Sequence, residues 1–373
     1  MYWTAHLEDG PLGDPNPAVA VGCRIYSFGW PSSTKKPSEQ VPMHVHALNT
    51  ENLSWSKVLP TSKDEQSSSY PRHRFGHSAV VYEDKIYIWG GMFNEHFFDE
   101  LLCFDPVTSS WSIPKVSGTV PQTRNSHFAF VIEHSMYLIG GYDRRTKKYS
   151  PDVFALDLRT MQWKYIAAHS GPYMWEGISA CAVGHRIYIF GGELYRSHWN
   201  GGSFLDTVSG RWHRIVICES CHLTWKSPAF VHENSIYVFG GTCPKSNWDG
   251  IYLLKLATDT NRWVEVHMPG MSPIPHVFHA CVVVSCRVFV FGAKCRFAGN
   301  HVDLHIVDFR PSLYMLCLRV VLQHRLDIKN LPKALRMELL GICAHSRLEE
   351  RVLKLQHVYK PEHGDCEHTS GCR

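Results

Sequence analysis

The chain has 373 residues, 44% of them hydrophobic, and 38 Lys/Arg against 34 Asp/Glu leave a formal net charge of +4. That length and apolar content suffice for a large core in one or two domains, and so small a charge does not demand nucleic-acid binding by counterion release. No run of eighteen apolar residues suggests a membrane span. Met1 to Gly10 lacks the basic-then-apolar order of a secretory signal, and 13 cysteines, an odd count, suit free thiols in a reducing compartment better than a disulfide framework. A cytoplasmic location follows as the expectation, with the nucleus allowed.

Read in chain order, the sequence repeats. Tyr2–Leu7 is a β-rich run with Trp3 and no partner of its own nearby. From Ile25 a unit of about fifty residues recurs, with apolar runs ending in Gly-Gly at Ile86–Gly91, Met136–Gly141, Ile187–Gly192 and Ile236–Gly241. A tryptophan follows each pair 20 to 22 residues later: Trp111, Trp163, Trp212 and Trp263. Unit one keeps Trp55 but has Trp30 for the second glycine, and unit six has Ala293 there. Within a unit, a first strand such as Gly76–Tyr82 precedes a polar turn. A continuous apolar β-branched and aromatic run such as Lys85–Trp89 reads as a strand buried on both faces. A third strand (Leu101–Asp105) and a fourth, opened by Trp111, complete four antiparallel strands, which is a propeller blade. Six units predict an all-β, six-bladed propeller over residues 1–310.

Unit six supplies the topological clue. Its third strand, Leu304–Asp308, is followed by Phe309-Arg310-Pro311 and no tryptophan. The strand starting the chain is therefore predicted to close blade six, which removes an unpaired edge.

From Pro311 the period changes. Leu313, Leu316, Cys317, Val320, Val321 and His324 lie at i, i+3, i+4, i+7, i+8 and i+11, one apolar stripe of a helix, with Ser312 placed to cap it. A second helix is predicted at Leu331-Pro332, since proline is tolerated in a first turn. Residues 311–345 read as a helical segment and 346–373 as a flexible tail.

The double glycine and trailing tryptophan resemble the kelch repeat. Ser312-Leu313-x-x-x-Cys317-x-x-x-Val321 resembles the BC box that docks on elongin C, and Leu331-Pro332-x-x-Leu335-x-x-x-Leu339 is similar to the cullin-2 box. Together with Trp3-Thr4-x-His6-Leu7-Glu8 and Val116–Pro121, these segments resemble the kelch-repeat substrate receptors of cullin-2 RING ubiquitin ligases. The resemblance implies a non-catalytic receptor. Leu313, Leu316, Cys317, Val320 and Val321 would bind elongin B/C. Leu331, Pro332, Leu335 and Leu339 would bind cullin-2 with its RING subunit. The propeller would read C-terminal tails of clients, typically glycine-ended.

Capturing a carboxylate needs converging donors. The loops after the double glycines and the segments before the first strands provide Tyr142, Arg144, Arg145, Trp175, Tyr195, Arg196, Trp225, Lys226 and Lys245, with Arg72, Arg74, Arg124, Lys294 and Arg296 as further donors. Units four and five depart from the family pattern: Glu193 follows Gly192, and Thr224-Trp225-Lys226 replaces a histidine-containing start. Tail specificity is therefore open.

Other signals are weaker. Cys218-x-x-Cys221-His222 matches a haem-attachment spacing, but that chemistry needs export. His363, Cys366, His368 and Cys372 fit no paired zinc plan. His77, His127 and His279 recur with the repeat, which indicates structural hydrogen bonding. No catalytic constellation, metal site or cofactor motif is expected. The alternative reading is a nuclear or chromatin-associated kelch scaffold, similar to the propeller half of the recombination-activating proteins; an enzyme on a propeller ranks below both.

Overall fold

The computed structural model describes residues 2–7, 17–29, 42–59, 71–166, 172, 177–191, 193–194, 197–198, 201–215, 228–239, 253–257, 262–266, 280–291, 294–295, 299–300, 303–323 and 327–336. Two compact units emerge, Met1–Ser312 and Leu313–Arg373.

The first unit holds six blade sheets, each with four antiparallel strands ordered first to fourth across the sheet, and one of them carries a fifth strand at its outer edge. Blade 1 is Ala18–Val21, Arg24–Gly29, His44–Asn49 and Ser54–Val58. Blade 2 is Ser78–Tyr82, Lys85–Trp89, Leu101–Asp105 and Ser110–Ser112, and blade 3 is Phe128–Ile132, Ser135–Ile139, Val153–Asp157 and Gln162–Ile166. Blade 4 comprises Ser179–Val183, Arg186–Phe190, Gly202–Asp206 and Arg211–Ile215; blade 5 comprises Ala229–His232, Ser235–Phe239, Leu253–Ala257 and Arg262–Val266. Blade 6 takes Ala280–Val284, Arg287–Phe291 and Asp303–Asp308, and its fourth strand is Tyr2–Leu7 from the start of the chain. First strands touch those of both neighbouring blades around the full ring, blade 6 meeting blade 1. The fold is a six-bladed propeller closed by the N-terminal strand.

Register explains why that strand belongs there. In blades 1 to 5 the fourth-strand tryptophan pairs with a third-strand apolar residue: Leu48 with Trp55, Phe104 with Trp111, Leu156 with Trp163, Leu205 with Trp212, Leu256 with Trp263. In blade 6 Val307 pairs with Trp3 in the same frame. The N-terminal strand thus fills its place residue for residue.

Packing between blades forms the core. Six clusters of buried side chains each join two adjacent blades. Three of the tryptophans reach across these seams from the outer strand: Trp55 lies 5.0 Å from Phe291, Trp111 5.9 Å from Phe28, and Trp163 5.1 Å from Trp89. Each partner stands directly before the first glycine of the preceding blade. Burial of one such side chain contributes roughly 2 kcal/mol. The blade 2–blade 3 seam, with twelve buried residues, therefore contributes on the order of 20 kcal/mol before conformational entropy is subtracted.

The double glycine answers to the same seams. Gly91 and Gly141 have φ of 88° and 92°. A Cβ there would stand 2.9 Å from the Phe75 and Asn125 carbonyl oxygens respectively. Left-handed backbone and close chain approach both require glycine.

The link from blade 2 to blade 3 adds a further strand. Ser117–Gly118 pairs in parallel with the fourth strand of blade 3, covering an edge that is otherwise open to pairing.

In the second unit, α1 spans Leu313–Gln323, beginning where the stripe predicts; His324 lies outside the described residues. Lys333–Arg336 form one helical turn, in which the Arg336 amide donates to the Pro332 carbonyl at 3.0 Å. Leu339 and residues 346–373 lie outside the described residues.

Candidate functional site

Antiparallel order places three features at one end of the ring: the start of each first strand, the end of each second strand and the hairpin joining second to third. The double-glycine hairpins therefore form one rim. In blade 2 the hairpin pairs Met92–Phe93 with His96–Phe97, and in blade 3 Tyr142–Asp143 pairs with Lys148–Tyr149 and with Arg124–Asn125.

Blade entries are anchored by buried arginines. The Arg74 Nε donates to the Arg72 carbonyl at 3.3 Å and its Nη1 to the Gly90 carbonyl at 3.4 Å, and its Nη2 pairs with Glu100 at 2.6 Å. Arg124 repeats the pattern one blade on: Nε to the Gln122 carbonyl and Nη1 to the Gly140 carbonyl, both at 3.0 Å, with Asp152 at 3.9 Å. Each guanidinium also lies over a ring, Arg74 over Phe98 at 3.9 Å and Arg124 over Phe154 at 5.1 Å. Both side chains are 0% exposed. Burial pushes both below the usual arginine range, opposed by Glu100 for Arg74 and by Asp152 and Asp143 for Arg124. This corrects the expectation that Arg74 and Arg124 are donors for a ligand. In each, Nη1 is taken by the glycine carbonyl that ends the second strand; Arg74 Nη2 is taken by Glu100, while Arg124 Nη2 is buried with no hydrogen-bond partner among the described residues. Arg72, by contrast, is exposed.

Of the recurring histidines, His127 makes a hydrogen bond between blades, and His77 is buried with neither ring nitrogen hydrogen-bonded among the described residues. The Ser78 hydroxyl of blade 2 bonds His127 Nε2 of blade 3 at 2.8 Å. Burial, with Arg124 nearby, lowers His127 to about 3. Burial, with Arg74 and His127 close by, also lowers His77. His279 lies outside the described residues.

Three of the nine tail-reading candidates can be placed. Tyr142 is half-buried and faces the Phe97 ring at 6.5 Å and 29°, with Tyr149 edge-on at 5.6 Å. Arg144 is exposed, its guanidinium 5.8 Å from the Phe97 ring centre. Arg145 is exposed at the hairpin tip, where its amide and that of Thr146 donate to the buried Asp143 Oδ1 at 2.7 and 3.3 Å. Hairpins of blades 2 and 3 thus share a small aromatic platform edged by cations. Trp175, Tyr195, Arg196, Trp225, Lys226 and Lys245 lie outside the described residues, as do Arg296, Cys218, Cys221 and His222. Sequence reading missed Phe97, Lys147, Lys148 and Tyr149. The signal was two tyrosines bracketing four cations; Phe97 had none, because it comes from another blade.

In the second unit, α1 turns its stripe outward. Leu313 is 76% exposed, Leu316 38% and Val320 49%, with Cys317 also exposed; Val321 is half-buried and Leu318 buried. Leu331 and Leu335 are half-buried and Pro332 is exposed.

Among the described residues no group of three or more His, Cys, Asp or Glu is placed to hold a metal, and no helix is long and apolar enough to cross a membrane.

Comparison with known proteins agrees with this architecture. The KLHDC2/KLHL20/DRC7 Kelch-repeats domain matches residues 16–223 and 177–315. Kelch domain-containing protein 3 of Rattus norvegicus is 32% identical over 95% of this chain and 99% of its own, and the Homo sapiens protein of that name is 32% identical over 95% of this chain and 99% of its own. Human Host cell factor 1 is 26% identical over 71% of this chain but only 14% of its own. Among solved structures, one titled "Structure of YjhT" superposes with a TM-score of 0.60 at 13% identity, covering 80% of this chain and 95% of that one, which bears on the fold alone. The chain belongs to the kelch-repeat family.

Proposed function

We propose that the protein is a non-catalytic substrate receptor of a cullin-2 RING ubiquitin ligase, with the propeller rim taking the C-terminal tail of a client and α1 taking elongin B/C. Its role would be proximity, raising the effective concentration of a client lysine at the ligase. The observation that carries this reading is the outward stripe of α1. Leu313, Leu316, Cys317 and Val320 occupy one face at helical spacing and are all exposed, and a water-facing apolar row of that kind marks a binding surface more often than a free one. The exposure of Leu313 and Cys317, and a helical turn after Pro332, support reading these segments as BC box and cullin-2 box. Similarity to kelch domain-containing protein 3 across 95% of the chain supports a single role for ring and helices together. Cytoplasmic residence, with a nuclear fraction, fits the same reading.

The test is co-elution of the full chain with elongin B/C on size exclusion. The unmodified protein should co-elute, and Leu313→Arg with Cys317→Lys should abolish it while leaving thermal unfolding of the ring unchanged. Failure of the unmodified chain to co-elute would leave the scaffold reading in its place.

A further inference from the structure

We infer that the paired hairpins of blades 2 and 3 form a binding surface for an acidic stretch of polypeptide. Under the receptor reading proposed above, on which this rests, that stretch lies upstream of the client's C-terminus.

The chain's net charge is only +4, yet residues 142–149 carry Arg144, Arg145, Lys147 and Lys148 against Asp143 alone, a local +3. Asp143 offsets only one of the four cations, from beneath the tip, where it is buried and its Oδ1 accepts the amides of Arg145 and Thr146. That bonding fixes the turn, and the Arg144 amide reaches the Thr123 carbonyl at 3.5 Å. The four cations are exposed and are held on an ordered hairpin, so they lose less conformational freedom on binding than cations on a loose loop. The neighbouring hairpin adds two exposed acids, Glu95 and Asp99, so the cations outnumber the acids across the pair of hairpins.

Ring geometry selects the class of polyanion. Single-stranded nucleic acid is held by open aromatic faces on which bases stack. Here Phe97 and Tyr142 face each other, Tyr149 closes edge-on against Tyr142, and Arg144 lies over Phe97. Phe97 therefore supports the Arg144 guanidinium, and Arg145, Lys147 and Lys148 stand exposed on the same hairpin. Guanidinium forks match carboxylates two oxygens at a time.

The probe is a fluorescein-labelled octaglutamate with both ends blocked, so neither tail capture nor elongin enters the measurement. Fluorescence anisotropy with the full chain at low salt should show saturable binding that weakens as salt is raised. Charge reversal of Arg144, Arg145, Lys147 and Lys148 to Glu should weaken it by about tenfold or more. Reversal of four exposed cations elsewhere (Arg159, Lys164, Arg211 and Arg214 to Glu) is the matched control and should leave most binding intact. Leu313→Arg with Cys317→Lys should bind the probe like the unmodified chain. No saturable binding, equal loss in the two reversal variants, or tighter binding of an oligothymidylate of equal length would each overturn the inference. Absence of probe binding in a chain that still co-elutes with elongin B/C would remove this surface and leave the receptor reading standing.

Discussion

Arg74 and Arg124 enter blades 2 and 3 at the same end of the ring as Arg144 and Arg145, and their roles are opposite. The first two are wholly buried under ring faces and donate to Gly90 and Gly140. The second two are exposed on a hairpin tip with no carbonyl to satisfy. What separates them is which partner the fold supplies. A strand end that stops at glycine leaves a carbonyl facing the seam, and the guanidinium that reaches it becomes part of the core. The cations on the hairpin tip stay exposed, Arg144 beside the Phe97 ring.

The largest effect should come from breaking the buried arm. Arg124→Ala removes the donor to the Gly140 and Gln122 carbonyls and strands Asp152 beside the seam; it is expected to destabilise the propeller by about 3 kcal/mol, read as a shift in the urea midpoint at unchanged slope. An unchanged midpoint would make the two arginine classes equivalent.

A smaller effect sharpens the same comparison through pH. His127 sits beside Arg124 with its folded value lowered to about 3, against about 6.5 unfolded. The unfolded chain thus takes up the proton first. Stability is full above pH 6.5 and falls as pH drops from there toward 3. By pH 5 this one group should cost about 2 kcal/mol, and His77, lowered in the same direction, adds to it. Melting curves between neutral pH and pH 5 should show the decline, and His127→Gln should flatten it.

The smallest effect belongs to the exposed arm. Arg145→Ala should alter the urea midpoint by no more than about 0.5 kcal/mol, while weakening octaglutamate binding. A large loss of stability would mean that the tip, too, is built into the core.

Much of the fold was legible because its signals are local and repeated. Trp111 and Trp163 follow their glycines at nearly constant distance, and one strand period sets which side chains face a seam. Closure by Tyr2–Leu7 was legible from a deficit, since blade six had a third strand and no tryptophan. The rim was legible only in part. Arg74, Arg124 and Arg144 are alike as residues beside a turn, and nothing local tells which of them finds a carbonyl. Phe97 escaped notice because its partners, Tyr142 and Arg144, are some fifty residues away in another blade.

Sequence alone determined the number of blades, the strand that closes the ring and the start of the helix after it, because each follows from periodicity or from its interruption. Tertiary structure decided which arginines are core and which are surface, and that two hairpins share one aromatic platform. Those outcomes depend on where a carbonyl or a ring from the adjacent blade comes to rest, and contact across a seam leaves no trace in local spacing.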